Sequence, residues 1–393
     1  MPSYLAIYLK LSIWNNPLGL WILNTLSMFV LLQESLYGLK QAPRAWNERF
    51  SKYLLAYGFL NSVCDTSMFI YQKGDARMTL LVYVDDIILV GSLVALMNSF
   101  IGSLKTEFSM KDLGLLDYFL GIEVTYGSTS KKLLLTQNKY SLEILKKHDM
   151  MGCKPCKTPV SQGQRASVCD GTLLSDVASY RSLVGSLQYL TLTRPDISYA
   201  VNYVSQFLHC PTDVHLQLSI EVYQGITLSA GNGSELQDFS DSDWAGCPDT
   251  RKSTSGYCVF VGGNLVSWSS KKQQTISRSS TEAEYRGLAN AAAEILWLSY
   301  LFEELLVHLS FPCKLFCDNQ GAVSLTANPT FHARNKHIEV DYHMIRDLVR
   351  FGFIRVSYIH TSHQVADIFT KGLSKSQFSL LKSKLMPVVR TSV

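Results

Sequence analysis

The stretch TLLVYVDDIILVG, Thr79 to Gly91, places two adjacent acidic residues between two short apolar runs rich in β-branched residues. Such runs predict two strands joined as a hairpin, with Asp85 and Asp86 at its tip. Ionised carboxylates are costly to desolvate unless they pair with or bind a cation, and adjacent oxygen ligands suit Mg²⁺. An exposed turn, in which Asp merely suits the turn geometry, explains the pair equally well. The hairpin alone leaves both interpretations open.

The composition around this hairpin is that of a folded protein. The chain has 393 residues, 47% of them hydrophobic and 17% charged, which excludes bulk disorder and predicts two or three domains. Its net charge is only +4, so nucleic-acid binding cannot be argued from bulk charge and must come from a site. The nine cysteines are odd in number and irregularly spaced, which predicts a reducing, intracellular (cytoplasmic or nuclear) location.

The apolar run from Leu18 to Leu32 could suggest a membrane anchor. It is shorter than the roughly 20 residues that a spanning helix needs, and Asn24, Thr25 and Ser27 interrupt it. We therefore expect no membrane partner.

Composition shifts divide the chain. A segment rich in Lys, Pro, Ser and Gly follows Cys153, and Gly, Ser and Asn cluster between Gly225 and Gln237. We predict an N-terminal α/β unit up to residue 151, a helical connector over 152–233 and a C-terminal unit over 234–393. The expected fold class is α/β (α+β).

The C-terminal unit alternates strand and helix patterns. A hairpin is predicted around Gly263-Asn264, followed by a long helix from Thr281 to Leu306. A strand at Lys314–Cys317, a helix around Ile338–Arg350 and a strand at Phe353–Ile359 come next. This order predicts a mixed sheet flanked by helices.

Four acids in this unit stand where a strand ends or a helix begins: Asp241, Glu284, Asp318 and Asp367. Carboxylates at such places can converge on one point, as two-metal phosphodiester chemistry requires. Structural roles are the alternative. Glu284 could complete a capping box with Thr281, and Asp318 could cap the next helix.

Other candidates surround these acids. His360 stands in a polar loop after a strand and could move protons, or it could be a solvated loop residue. Lys271 and Lys272, with Arg278 and Trp268, form a basic and aromatic patch suited to a phosphate backbone, although a solvated hairpin edge explains them almost as well.

The motifs together resemble a known family. SLYGLKQAPRAWNERF at 35–50 and YVDD at 83–86 closely resemble the reverse transcriptase of copia-type LTR retrotransposons. The resemblance continues through MKDLGLLDYFLGIEV at 110–124, YRSLVGSLQYLTLTRPDISYAV at 180–201 and SDSDWAGCPDTRKSTSGYCVF at 240–260. SSTEAEY, LFCDNQGAV, KHIEVDYH and HTSHQVADIFTKGL extend it towards the C terminus.

The resemblance implies a polymerase palm and thumb over 35–151, followed by an RNase H-like domain over 234–393, both using Mg²⁺ (or Mn²⁺). The implied partners are an RNA:DNA hybrid or a primer-template. Asp85 and Asp86 would be two of three metal-binding polymerase carboxylates. The implied nucleotide and template contacts are Lys40, Gln41 and Pro43. The implied RNase H residues are the metal-binding carboxylates Asp241, Glu284, Asp318 and Asp367, with His360 as a mobile-loop histidine.

Two departures from the family pattern change this expectation. The third polymerase Asp should lie upstream of LYGLKQAPRAW, but residues 1–36 contain no Asp. Residues 1–34 are therefore expected to be a divergent segment without a family match, and polymerisation is expected to be lost. The basic helix expected before the RNase H domain is replaced over Leu216–Gly233. RNase H is the more plausible residual activity, and a catalytically dead nucleic-acid-binding relic is the alternative.

Overall fold

The computed structural model divides the chain into two compact units. The first contains the described residues up to Phe119 together with Tyr300–Leu306, and the second contains Leu120–Ser299 and the remainder of the chain from Val307. The structure describes residues 5–11, 42–127, 132–152, 158–160, 162–163, 165–216, 225–230, 233–327 and 339–386.

No helix within these described ranges is both long enough and apolar enough to cross a membrane. The apolar run from Leu18 to Leu32 lies outside the described residues.

The first unit is built on one antiparallel sheet. In chain order its elements are β1 (Leu5–Leu11), α1 (Ala42–Tyr57), β2 (Leu60–Asn61), β3 (Met68–Lys73), β4 (Ala76–Tyr83), β5 (Asp86–Gly91), α2 (Val94–Glu107), β6 (Met110–Leu115) and β7 (Tyr118–Phe119). Six strands form the sheet in the order β2-β3-β4-β5-β1-β6. Apolar residues of α1 and α2, among them Phe50, Leu54 and Phe100, pack with Leu80 and Leu89 of the sheet in one core.

The predicted hairpin is present as β4 and β5. Tyr83 pairs with Asp86 across a two-residue turn of Val84 and Asp85, so Asp86 is the first residue of β5. Alternate residues of β5, including Ile87 and Leu89, are buried, as the period of two in a strand requires.

Strand β1 lies in the interior of this sheet, between β5 and β6, within the residues 1–34 that are predicted to be a divergent segment. Its alternation explains the placement. Ile7 and Leu9 enter the core, while Tyr8 and Lys10 lie on the opposite face. The antiparallel register pairs Lys10 with Asp86.

The second unit begins before the predicted boundary at residue 151. Its first elements are β8 (Ile122–Tyr126), β9 (Lys132–Thr136), α3 (Asn138–Lys147), α4 (Val177–Leu190), α5 (Ser198–Ser205) and β10 (Ile226–Ser229). β9 pairs with both β8 and β10, and Ile144 of α3 packs against Leu183 and Leu187 of α4. The pairing joins residues 122–136 to 226–229, and the predicted N-terminal unit is correspondingly shorter.

A five-stranded mixed sheet forms the rest of the second unit, as the alternation of strand and helix patterns predicts. Its order is β13-β12-β11-β14-β15, with β11, β12 and β13 antiparallel and β14 parallel to both β11 and β15. The elements are β11 (Glu235–Ser242), β12 (Thr254–Val261), β13 (Asn264–Lys272), α6 (Ser280–Glu304), β14 (Ser310–Cys317), α7 (Gln320–Ala327), α8 (Glu339–Arg350), β15 (Ile354–Tyr358) and α9 (Lys375–Leu385).

The hairpin between β12 and β13 turns one residue earlier than predicted. Its turn is Gly262-Gly263, and both residues have positive φ angles of 56° and 81°. Glycine adopts that conformation without steric cost, so the two glycines rather than Gly263-Asn264 form the turn.

Candidate active site

The structure brings together the four acids that the sequence singled out in the second unit. Asp241 lies near the end of β11, Glu284 near the start of α6, Asp318 directly after β14, and Asp367 in a short 3₁₀-helix before α9. Carboxylate oxygens of Asp241, Asp318 and Asp367 lie within 4.8 Å of one another, and Glu284 comes equally close to Asp318.

The capping roles considered for two of these acids belong to their neighbours. At the start of α6, the Ser279 hydroxyl accepts a hydrogen bond from the amide of Glu282 at 3.2 Å, and the Glu282 carboxylate accepts one from the amide of Arg278 at 2.9 Å. At the start of α7, Asn319 accepts a hydrogen bond from the amide of Ala322 at 2.9 Å. Glu284 and Asp318 are therefore not needed as caps.

Burial and repulsion by neighbouring carboxylates raise the pKa values of Glu284, Asp318 and Asp367. Burial raises the pKa of Asp367 to about 7, with the Asp241 carboxylate adding to the effect. Burial also raises the pKa of Glu284 well above its usual range, and Asp241 and Asp318 raise it further. Burial also raises the pKa of Asp318, and the Asp241 carboxylate adds to the effect. Like charges crowded in a dry site disfavour ionisation, so these carboxyls favour the protonated form more than carboxyls in water do.

Three residues that were not predicted as site residues contact the acids. The Lys371 ammonium lies 2.9 Å from Oδ1 of Asp367 and 3.4 Å from Oδ2 of Asp241. Thr361 donates a hydrogen bond to Asp318 at 2.7 Å, and the Thr370 hydroxyl donates one to Asp241. Two sequence signals could have indicated Lys371: its place in HTSHQVADIFTKGL and its position four residues after Asp367, a spacing of about one helical turn.

A glycine in β12 allows the Thr370 segment to approach the sheet. A Cβ atom at Gly256 would lie 2.5 Å from Cβ of Phe369 and 2.9 Å from Cγ2 of Thr370. Because Gly256 has no side chain, Thr370 can reach Asp241, the residue of β11 that pairs with Gly256.

The donor set fits a hard cation. Carboxylate oxygens are the ligands that Mg²⁺ and Mn²⁺ prefer, whereas thiolates suit softer metals. Cys317 lies beside Glu284 and Asp318, but burial raises the pKa of its thiol, and a protonated thiol is a poor metal ligand. The four carboxylates are therefore the residues that could hold the metal.

His360 lies on the loop that follows β15, and its side chain is exposed. Its Nδ1 atom lies 2.9 Å from the Ser362 hydroxyl. The neighbouring residue Thr361 reaches Asp318, so this loop borders the acids. The role of His360 stays a prediction.

Only part of the predicted basic and aromatic patch is exposed for contact with a nucleic acid. Lys271 is exposed and lines a groove of about 490 Å³ that Arg286 and Asn290 also border. Lys272 also borders this groove, but its ammonium lies 3.0 Å from the amide oxygen of Gln206 and 2.8 Å from the sulfur of Cys247. The Trp268 indole donates a hydrogen bond to the carbonyl of Thr191 at 3.2 Å. Lys272 and Trp268 are thus engaged inside the protein.

The acid pair of the first unit has a different environment. Tyr8 donates a hydrogen bond of 2.6 Å to Oδ1 of Asp86, and the Lys10 ammonium lies 3.6 Å from the same oxygen. Burial and this hydrogen bond raise the pKa of Tyr8, which keeps its hydroxyl protonated as a donor. Among the described residues, neither Asp85 nor Asp86 belongs to a group of three metal-ligating side chains.

The residues proposed to contact nucleotide and template are mostly outside the described ranges. Lys40 and Gln41 lie outside the described residues, and Pro43 is exposed in the first turn of α1. One further contact supports the hairpin that carries Asp85, because the Trp46 indole donates a hydrogen bond of 2.9 Å to the carbonyl of Val84.

Comparison with known proteins identifies relatives along most of the chain. A family model described as reverse transcriptase (RNA-dependent DNA polymerase) matches residues 3–162. The match begins at residue 3, which corrects the expectation that residues 1–34 have no counterpart in the family.

The chain is 47% identical over 362 residues to the retrovirus-related Pol polyprotein from transposon RE1 of Arabidopsis thaliana, covering 90% of this chain and 25% of that protein. It is 35% identical over 382 residues to the corresponding polyprotein from transposon TNT 1-94 of Nicotiana tabacum, covering 93% and 29%. A putative transposon Ty5-1 protein of Saccharomyces cerevisiae is 31% identical, with coverage of 67% and 89%. The chain thus spans about a quarter of the length of the two Pol polyproteins.

Proposed function

Because this chain belongs to the copia-type retrotransposon Pol polyproteins, we propose that its second unit cleaves the RNA strand of an RNA:DNA hybrid with the help of a divalent metal. The observation that carries the proposal is the convergence of Asp241, Asp318 and Asp367 within 4.8 Å, next to Glu284. Four carboxyls crowded together at a mixed sheet, three of them with raised pKa values, suit metal-assisted phosphodiester hydrolysis.

The four carboxylates would hold Mg²⁺ or Mn²⁺. When bound, such ions lower the pKa of water and stabilise the charge on the leaving oxygen. Their fit rests on the donor chemistry and on the raised pKa values of Glu284, Asp318 and Asp367, because a cation stabilises the ionised form of each carboxyl.

The remaining residues would position these acids and the substrate. Thr361 and Thr370 donate to Asp318 and Asp241 and orient their carboxylates. Lys271, exposed beside the groove, is suited to contact a phosphate of the hybrid. His360, on the loop that carries Thr361, is suited to transfer a proton as product leaves.

The first unit is proposed to be an inactive polymerase. Tyr8 and Lys10 of β1 both contact Asp86. The positive charge of Lys10 repels a divalent cation, and an ammonium group cannot serve as a metal ligand. A metal site that lacks one carboxylate ligand loses on the order of several kcal/mol of transition-state stabilisation.

Hybrid cleavage by the purified full chain tests the proposal. An end-labelled RNA strand annealed to DNA is incubated with the chain and Mg²⁺, and a primer-extension reaction runs alongside. Asp318→Asn should lower the cleavage rate about 100-fold or more, which corresponds to about 2.7 kcal/mol. Asp347→Asn, the same change at an exposed position of α8, should leave the rate unchanged.

Three outcomes separate the alternatives. Cleavage that depends on Asp318, without extension, supports an active ribonuclease joined to an inactive polymerase. Salt-dependent hybrid binding without cleavage by a folded chain would instead favour a nucleic-acid-binding relic. Extension of the primer would overturn the proposal for the first unit.

A further inference from the structure

Lys371 is a cation placed among the acids that are proposed to bind the metal. Its ammonium lies 2.9 Å from Asp367 and 3.4 Å from Asp241, which are two of the three carboxylates that meet within 4.8 Å. Both acid side chains are only 2% exposed, whereas the lysine side chain is 38% exposed.

The backbone that carries this lysine is firmly held. The Thr370 hydroxyl bonds to Asp241, and the Ser270 hydroxyl donates to the carbonyl of Phe369 at 2.6 Å. The amide of Lys371 donates to the carbonyl of Asp367 at 3.3 Å. The Cα atom is thus anchored next to the acids, while the long side chain has solvent on one side into which it can move.

We propose that Lys371 is an internal counter-ion that occupies the acid group in the absence of divalent metal and leaves it when the metal binds. The ammonium contacts oxygens of Asp241 and Asp367, both proposed metal ligands, so a metal and the ammonium compete for the same charge. This inference rests on the proposed metal site.

Two consequences follow from the competition. Without metal, Lys371 relieves the repulsion among four crowded carboxyls and stabilises the folded unit. With metal, the ion must displace the ammonium, so the apparent affinity for the ion is lower than the carboxylates alone would give.

Magnesium binding to the full chain tests the proposal. Isothermal titration with MgCl₂ and melting in EDTA and in MgCl₂ are measured for the wild type, Lys371→Met and Lys371→Gln. Lys384→Met, which removes an exposed lysine from α9, is the control for net charge. Removal of Lys371 should tighten Mg²⁺ binding about tenfold and lower the melting temperature in EDTA, and the control should do neither.

The outcomes distinguish this inference from the proposed function. If the wild type binds Mg²⁺, Asp367→Asn abolishes binding, and both Lys371 variants bind with unchanged or weaker affinity, the counter-ion role is overturned and the metal site stands. If neither the wild type nor any Lys371 variant binds Mg²⁺, both are overturned. Binding by the Lys371 variants alone would support the competition directly.

A measurement on the wild type covers the case in which the variants fail to fold. Reductive ¹³C-methylation labels the lysine ammonium groups, and the Lys371 signal is followed by NMR as MgCl₂ is added. The signal should move towards the position of exposed lysines. A signal that stays unchanged while Mg²⁺ binds would overturn the proposal.

Discussion

Each unit of this chain holds acidic residues beside a lysine, and the balance of charge differs between them. In the first unit, Asp86 receives both the Tyr8 hydroxyl and the Lys10 ammonium. In the second unit, four carboxyls share Lys371, and Glu284, Asp318 and Asp367 have raised pKa values. One ammonium is thus shared by several carboxyls in the second unit, whereas in the first unit Asp86 has a hydroxyl and an ammonium as its partners.

The surroundings of Asp196, also in the second unit, show whether burial or the lack of nearby positive charge raises the pKa of a carboxyl. Asp196 is 1% exposed, and Arg194 contacts both of its oxygens at 2.7 and 2.8 Å, while Lys382 approaches to 3.2 Å. Burial alone would raise its pKa, but the two cations hold the pKa of Asp196 below its usual range.

The largest expected effect comes from breaking this buried group. Asp196→Asn leaves Arg194 buried without its counter-charge and should lower the free energy of unfolding by about 3–5 kcal/mol, measured by urea denaturation. Asp347→Asn, on the exposed side of α8, should cost less than about 0.5 kcal/mol. If Asp196→Asn lowers the free energy of unfolding no more than the control does, the ion pairs of Asp196 do not contribute to the stability of the fold.

A smaller effect is expected from pH. The pKa of Asp367 rises from 3.8 to about 7 on folding, so its contribution to stability is full below about pH 4 and is lost as the pH rises through 7. In EDTA, the melting temperature of the chain should fall between pH 5 and 8. Asp367→Asn should recover on the order of 1–3 kcal/mol at pH 8.

Magnesium provides the control for this pH dependence. A divalent cation stabilises the ionised carboxylates, so the fall between pH 5 and 8 should become shallower in MgCl₂. Asp196 contributes with the opposite sign, since its lowered pKa adds stability that disappears only at acid pH. A melting temperature that rises from pH 5 to 8 in EDTA would contradict the raised pKa of Asp367.

The smallest effects are expected in the first unit. Tyr8→Phe removes a hydrogen bond to a carboxylate and should cost about 1–2 kcal/mol. Lys10→Met removes an ion pair of 3.6 Å whose lysine is 51% exposed, and should cost less than about 0.5 kcal/mol. Urea denaturation of the full chain measures both. Costs in the reverse order would show that the lysine, not the tyrosine, is the main partner of Asp86.

Local patterns in the sequence were sufficient for most elements. The YVDD hairpin, the long helix predicted at Thr281–Leu306 and observed at Ser280–Glu304, and the strand observed at Ile354–Tyr358 follow from residue period and turn chemistry. The two compact units divide after Phe119 instead of near residue 151, and β9 pairs with β10, about 90 positions away, which no local pattern indicates.

For the candidate site, too, some features could be predicted from local sequence patterns and others could not. The residue types and places of Asp241, Glu284, Asp318 and Asp367 were readable in the sequence, because acids at strand ends and helix starts form a local signature. Which residues cap the helices was not readable, since Ser279, Glu282 and Asn319 compete with them at neighbouring positions.

The family, the alternation of strands and helices, and the four acids of the second unit can all be recognised in the amino-acid sequence. How much positive charge lies beside each acid depends on the folded chain. Lys371 reaches Asp241 because Gly256 lets a distant segment approach the sheet, and Lys10 reaches Asp86 because β1 pairs with β5. Electrostatic energy depends on distance in space, and that distance is set by strand pairing and close packing between residues far apart in the chain.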